Sequence, residues 1–211
     1  MKVKYFLVLL SFSGLLSACA GSTFQTAGNI EQGRQALFVG NNQAALAYFQ
    51  AAAQANPSAV YGATLRMGIL SYLGQAQYLT GNYAEARQTL QKAISEHPSD
   101  NVARLYLGLT LARLGDRPAG LKFIQGGMTG INNFLNYIST NFSYSFGQFW
   151  DPSGNIRSSI KSYLAMISSG NIDWTQLIAD GESLGLRIEQ EEDKARQQQQ
   201  QQLDMEFQDG R

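Results

Sequence analysis

The sequence predicts an all-α fold, a stack of antiparallel helical hairpins closed at its C-terminal end by capping helices. Three observations predict it. Only four prolines occur in 211 residues, and proline is the residue that most strongly interrupts a helix. Glycine and alanine recur at fixed offsets across successive segments, the mark of an internal repeat. Beyond the repeats, Ile156, Ile160, Tyr163, Leu164 and Ile167 follow the spacing of a helix face.

The first element is an export signal. Met1-Lys2-Val3-Lys4 is basic and an apolar core runs from Tyr5 to Leu16, the order expected of a signal segment over residues 1–18. The core is shorter than the roughly 18–20 residues that cross a bilayer. The alternative is a buried N-terminal strand or helix. Leu16-Ser17-Ala18-Cys19 resembles the lipobox of bacterial lipoproteins. That resemblance implies lipid attachment at Cys19, which becomes the first residue of the mature chain. It also implies a firm anchor, because two or more acyl chains hold a protein at a membrane where one holds it marginally. Ala20, not aspartate, follows the cysteine. This implies the outer membrane, facing the periplasm, with the cell surface left open. Residues 19–28 then read as a short tether.

Next come three repeat units. Gly33, Gly40, Ala45, Phe49, Ala52 and Pro57 are followed forty-one residues later by Gly74, Gly81, Ala86, Leu90, Ala93 and Pro98. A third pass gives Gly108, Gly115, Gly120, Ile124 and Gly127 without the closing proline. These small and large positions resemble the tetratricopeptide repeat over units 26–59, 67–100 and 101–134. The resemblance implies a right-handed stack of helix–turn–helix units. In each, small residues bring the paired helices together, Phe49 and Leu90 fill space between hairpins, and Pro57 and Pro98 start the following helix. The second unit is the best match. The pattern departs at Ala36, Gln77 and Leu111, where an aromatic is usual, and at Asn132, where proline is usual; the last helix should therefore run on. The insert Val60–Arg66 is expected to lengthen the next helix to about 59–80.

Residues 135–188 are expected to cap the stack. The aromatic run from Phe142 through Tyr144, Phe146 and Phe149 to Trp150 ends at Asp151-Pro152-Ser153-Gly154, a strong turn signal. It serves either as a lid on the stack or as a partner-binding surface. Asp173 reads as the N-cap of a last helix carrying Trp174, Leu177, Ile178, Leu184 and Ile188. From Glu189 to Arg211 the chain is polar, with six glutamines at 197–202. This is either a solvated helical extension or a disordered tail.

Composition excludes several chemistries. With 16 basic and 16 acidic residues, of which the signal removes Lys2 and Lys4, the mature chain carries about −2 and has no nucleic-acid footprint. One cysteine and one histidine, His97, cannot assemble a Cys/His catalytic pair or a Cys/His metal cluster. His97 reads as an exposed turn residue. Gly126-Gly127-Met128-Thr129-Gly130 lacks the ending of a phosphate loop. Of the carboxylates, Glu31, Glu85, Glu96, Asp100, Asp116, Asp151 and Asp173 sit at turns or helix starts, where capping accounts for them. No enzyme, cofactor, metal or small-molecule substrate is expected.

What remains is binding. The repeat resemblance implies a concave groove lined by first helices, and its positions fall on Arg34, Leu37, Phe38, Gln75, Tyr78, Leu105, Leu109 and Arg113. Such a groove suits a peptide or an amphipathic helix, unless the C-terminal helices fill it. The expected role is a membrane-anchored periplasmic scaffold for a protein partner, in envelope-complex assembly, secretion or pilus biogenesis. The alternative is an accessory component of a surface assembly that makes contact through residues 142–150. A cell-wall-active enzyme comes third.

Overall fold

In the computed structural model, residues 16–209 are described, with side chains from Phe24 onward. The greater part of the segment 1–18, expected to be an export signal, and the side chain of Cys19 lie outside the described residues. Helices pair where a small residue lets two backbones meet. α1 (Leu16–Phe38) packs on α2 (Asn42–Ala55), α3 (Ile69–Leu79) on α4 (Tyr83–Glu96), and α5 (Asn101–Arg113) on α6 (Arg117–Asn141). A Cβ on Gly33 would stand 2.5 Å from the Phe49 ring, and one on Gly74 2.5 Å from Leu90. On Gly108 it would stand 2.4 Å from the backbone nitrogen of Ile124. The large partners Phe49, Leu90 and Ile124 are fully buried. The turn within each hairpin closes on a glycine of positive φ (Gly40, Gly81, Gly115), a conformation that L side chains resist. The fold is thus an all-α stack of helical repeats.

Local chemistry explains where helices begin and stop. Asn41, Asp100 and Asp116 cap α2, α5 and α6 by accepting a backbone N–H three residues on, satisfying donors a helix start leaves open. The prolines do not start helices as expected. Pro57 and Pro98 follow the C-caps Asn56 and His97, where proline prevents the helix from continuing. The third unit lacks that stop, and α6 runs through Asn132 to Asn141.

Two expected elements differ. Residues 59–68 do not extend α3. They form a small antiparallel hairpin, β1 (Val60–Tyr61) with β2 (Met67–Gly68). Gly62, at φ +102, has the Leu65 carbonyl oxygen where a Cβ would be, so the chain reverses there. Nor is 19–28 a leash: these residues belong to α1, and no proline interrupts that stretch.

The cap follows α6. A 3₁₀ turn (Phe146–Phe149) leads to α7 (Asn155–Ser168) and α8 (Trp174–Asp209). Asp151 caps α7 by accepting the N–H groups of Ile156 and Arg157. Asp173 caps α8 by accepting that of Gln176. The stretch 189–209 is neither a separate tail nor solvated throughout: it continues α8, and Glu189, Glu191, Glu192 and Ala195 are buried.

Candidate functional site

α8 lies in the groove that the first helices of the repeats form. Its N-terminal half enters by packing. Leu177, Leu184 and Ile188 are fully buried. Gly181 and Gly185 bring α8 so close to α5 that a Cβ would meet Leu109 at 2.8 Å and Tyr106 at 2.6 Å. At the outer edge, Arg117 sits 5.2 Å over the Trp174 ring. The C-terminal half enters by charge. Arg34, 1% exposed, donates to the Asp193 carboxylate at 2.9 Å and to Glu31 at 3.1 Å, and stands 3.8 Å from Glu189. Tyr61 donates to Glu31 at 2.6 Å. The Glu192 carboxylate accepts the backbone N–H groups of Ala63, Thr64 and Leu65 at 3.0, 3.2 and 2.7 Å. The Glu191 carboxylate accepts that of Asp151 at 2.6 Å. Nearer the start of α8, Glu182 accepts from Tyr78 at 2.5 Å and from Arg113 at 3.1 Å.

Of the groove residues expected to face a partner, Arg34, Gln75, Tyr78, Leu109 and Arg113 meet α8, while Leu105 packs on Gly127 of α6. Arg34, Leu37, Gln75, Tyr78, Leu105 and Leu109 are buried, and Phe38 is half-buried under the Arg34 guanidinium. Arg113 stays at the rim, 42% exposed. As an open docking groove this set is corrected: the chain's own helix occupies it. The physical reason is apolar. Without α8, Tyr106 and Leu109 would lose the cover of Gly181 and Gly185, and a large side chain left in water forgoes about 1.5–3 kcal/mol of burial.

The polar centre is incompletely paired. Gln75 donates to the Tyr106 hydroxyl at 3.1 Å. Arg34 Nε, Gln75 Oε1 and both Glu189 carboxylate oxygens are buried without a hydrogen-bond partner. Burial pushes the Glu189 carboxyl up to about 7, against the pull of the Arg34 charge. Burial also raises the Tyr78 hydroxyl, reinforced by its bond to Glu182. Asp100, buried beneath this cluster, has its carboxyl raised by burial while the Ala103 N–H and the Ser71 hydroxyl oppose the shift.

The aromatic segment divides. Trp150 is buried and meets Phe134 edge to face at 5.3 Å, so it is a core residue and not a contact surface. Phe142 and Phe146 stack at 4.6 Å and are half-buried. Phe149 is half-buried too. Tyr144 is 99% exposed. Beside it a cleft runs between Tyr144, Phe146 and Phe149 on one wall and Gln199, Gln202 and Leu203 of α8 on the other.

The carboxylates considered for catalysis are dispersed. Asp100, Asp116, Asp151 and Asp173 are helix caps, Glu31 belongs to the Arg34 cluster, and Glu96 pairs with Lys92. Glu85 lies in the first turn of α4. His97 is half-buried as the C-cap of α4. Among the described residues no group of three or more His, Cys, Asp or Glu is arranged to hold a metal ion. No helix among them is long and apolar enough to cross a membrane. The acids of α8, from Glu182 to Asp193, and the glycines Gly181 and Gly185 were not legible as groove contacts. The one signal in the sequence is the four-residue spacing of those glycines, which puts both on one helix face.

The tetratricopeptide repeat family profile matches residues 30–101 and again 73–125. No curated protein and no solved structure matches the chain. The matched residues cover the three hairpins from Ile30 into α6 and leave the cap and α8 outside. Residues 30–125 thus carry tetratricopeptide-type repeats, and repeats of this kind point to a protein-interaction scaffold.

Proposed function

We propose that this chain is a lipid-anchored, non-catalytic scaffold that holds a protein partner at the outer membrane on its periplasmic side, in envelope-complex assembly, secretion or pilus biogenesis. The carrying observation is the pairing of the repeat stack with Leu16-Ser17-Ala18-Cys19, which resembles a lipobox. A groove lined by aromatic, aliphatic and cationic side chains suits a helical ligand, and it already accommodates one in α8. The membrane part is tested by metabolic labelling with a palmitate analogue, expected in the wild type and absent from Cys19→Ala. Label on the variant would remove the anchor. Affinity capture from membranes with the lipidated protein, the Cys19→Ala form serving as control, tests the partner.

A second reading is favoured by one observation: Tyr144 is exposed while the groove is filled. On this reading the protein is an accessory part of a surface assembly and makes contact through the aromatic end. A photoreactive residue at position 144 in intact cells should capture a protein, whereas one at Arg113 on the groove rim should not. Capture at the rim alone would return the weight to the groove.

A further inference from the structure

α8 is two helices in one as far as its hold on the groove is concerned. Up to Ile188 it is anchored by apolar side chains. Past Ile188 the only buried apolar residue of α8 among those described is Ala195, while Leu203, Met205 and Phe207 are exposed. What holds residues 189–196 in place is a row of carboxylates taken up by donors from the repeats and the cap. Glu192 is held by three consecutive backbone N–H groups of residues 63–65, Glu191 by the N–H of Asp151, and Asp193 by Arg34. The fourth acid, Glu189, is buried at 3.8 Å from Arg34 Nε with neither oxygen hydrogen-bonded, and Gln75 Oε1 beside it is unpaired as well. A helix that served only as a cap would bury apolar groups here. This segment fills a site built for carboxylates and fits its centre imperfectly.

We propose that Arg34, the backbone donors of residues 63–65 and the Asp151 N–H form a recognition site for an acidic helical peptide, and that residues 189–196 are its internal, displaceable occupant. A partner segment presenting two or three carboxylates on one face replaces that arm while residues 174–188 stay docked and keep the groove's apolar floor covered. The site deepens the scaffold reading by naming the chemistry of the partner. Displacement is feasible because an arm with little apolar area gives up few contacts that water does not replace. It is selective because a tethered occupant competes at roughly millimolar effective concentration, so an external peptide must improve on a centre where Glu189 stands 3.8 Å from Arg34 without a side-chain hydrogen bond.

The test uses the chain from residue 20 onward and, as probe, a fluorescent synthetic peptide of residues 186–200. In the wild type the arm competes and the peptide binds weakly. In Glu192→Gln/Asp193→Asn, which weakens the arm's own grip, the peptide is expected to bind at least tenfold tighter, with affinity falling as salt is raised. A peptide with Glu189, Glu191, Glu192 and Asp193 replaced by their amides should lose that binding. Equal binding to wild type and variant, or equal binding by the amide peptide, overturns the proposal. Hydrogen exchange on the wild type gives a reading independent of any variant's folding. Amides of 190–200 should exchange at least a hundredfold faster than those of 184–188, and comparable protection would mean that the arm does not open. Because the probe is the chain's own sequence, failure to capture a cellular partner and failure of this site are separate results.

Discussion

The interior of the hairpins and the seam beneath the arm of α8 are both buried, and they are held in opposite ways. Inside the hairpins a missing side chain on one helix receives a large one from the other: Gly33 takes Phe49, Gly74 takes Leu90, and Gly108 takes the backbone at Ile124. These three contacts involve no charged group. In the seam the fully covered groups are Arg34, Gln75, Tyr106 and Glu189, and four of their polar atoms lack partners. Volume matching gives dispersion and hydrophobic gain with no opposing term. An ion pair in the same low-dielectric surroundings must first offset the desolvation of both charges. The stack is therefore the stable body of the protein, and the seam is its weak and condition-sensitive joint.

That difference is broken most severely from the stack side. Phe49→Ala leaves a cavity between α1, α2 and α3, where Phe49 stacks on Tyr72 at 5.3 Å. The expected loss is about 3–5 kcal/mol, read by urea denaturation, and it should be the same at pH 5 and pH 8. A marked pH dependence of this loss would mean that the two regions are not separable.

On the seam side, Arg34→Ala removes the cation between Glu189, Asp193 and Glu31. Breaking a buried pair from one side costs about 3–5 kcal/mol, and the lower end applies here because Asp193 and Glu31 can turn to water. The cost should be largest at pH 8, where Glu189 is charged, and clearly smaller at pH 5, where it holds a proton. Urea melts at the two pH values check this, and equal losses would contradict it.

The Glu189 carboxyl sharpens the comparison further. Its value in the folded chain, about 7, lies above the ordinary 4.5, so the folded protein binds this proton more tightly than the unfolded chain does. The groups acting on it are Arg34 from α1, Tyr72 and Gln75 from α3, the buried Asp100 that caps α5, Tyr106 from α5 and Asp193 on its own helix. Its contribution is full below about 4.5 and is lost as pH rises through about 7, at most about 3 kcal/mol in all. Glu189→Gln should match the wild type at pH 4.5, flatten the profile between there and 7, and exceed the wild type above it. A variant that keeps the wild-type slope would assign the slope to another group.

These two regions also divide in how they can be read from the chain. The stack is legible because its rule is local and repeated: Gly33, Ala45 and Phe49 recur as Gly74, Ala86 and Leu90, and each pair meets within one hairpin. The seam joins residues more than 120 positions apart, such as Ala63 with Glu192, and no periodicity links them. Composition misleads there as well. Glu189 to Asp193 looks like a solvated tail because apolar residues stop at Ile188, yet donors on distant elements draw the acids inward. The insert at 60–66 failed for a similar reason. Its apolar residues suit a helix, and Gly62 beside the Glu192 carboxylate decides for a turn.

The smallest stability effect is expected at Tyr144, and it separates a surface from both buried regions. The ring is 99% exposed and lies outside the Phe142–Phe146 stack, so Tyr144→Ala should change stability by less than about 0.5 kcal/mol. Exposed tyrosines are favoured as interaction anchors, because they join apolar area to a polar tip at low conformational cost. If the aromatic end carries a partner, the variant should keep its urea midpoint at both pH values and lose capture from membranes several-fold. Trp150→Ala, in contrast, should lose both, since Trp150 is buried against Phe134. Unchanged capture by Tyr144→Ala would leave the groove, with its acid-lined arm, as the surface through which the scaffold works.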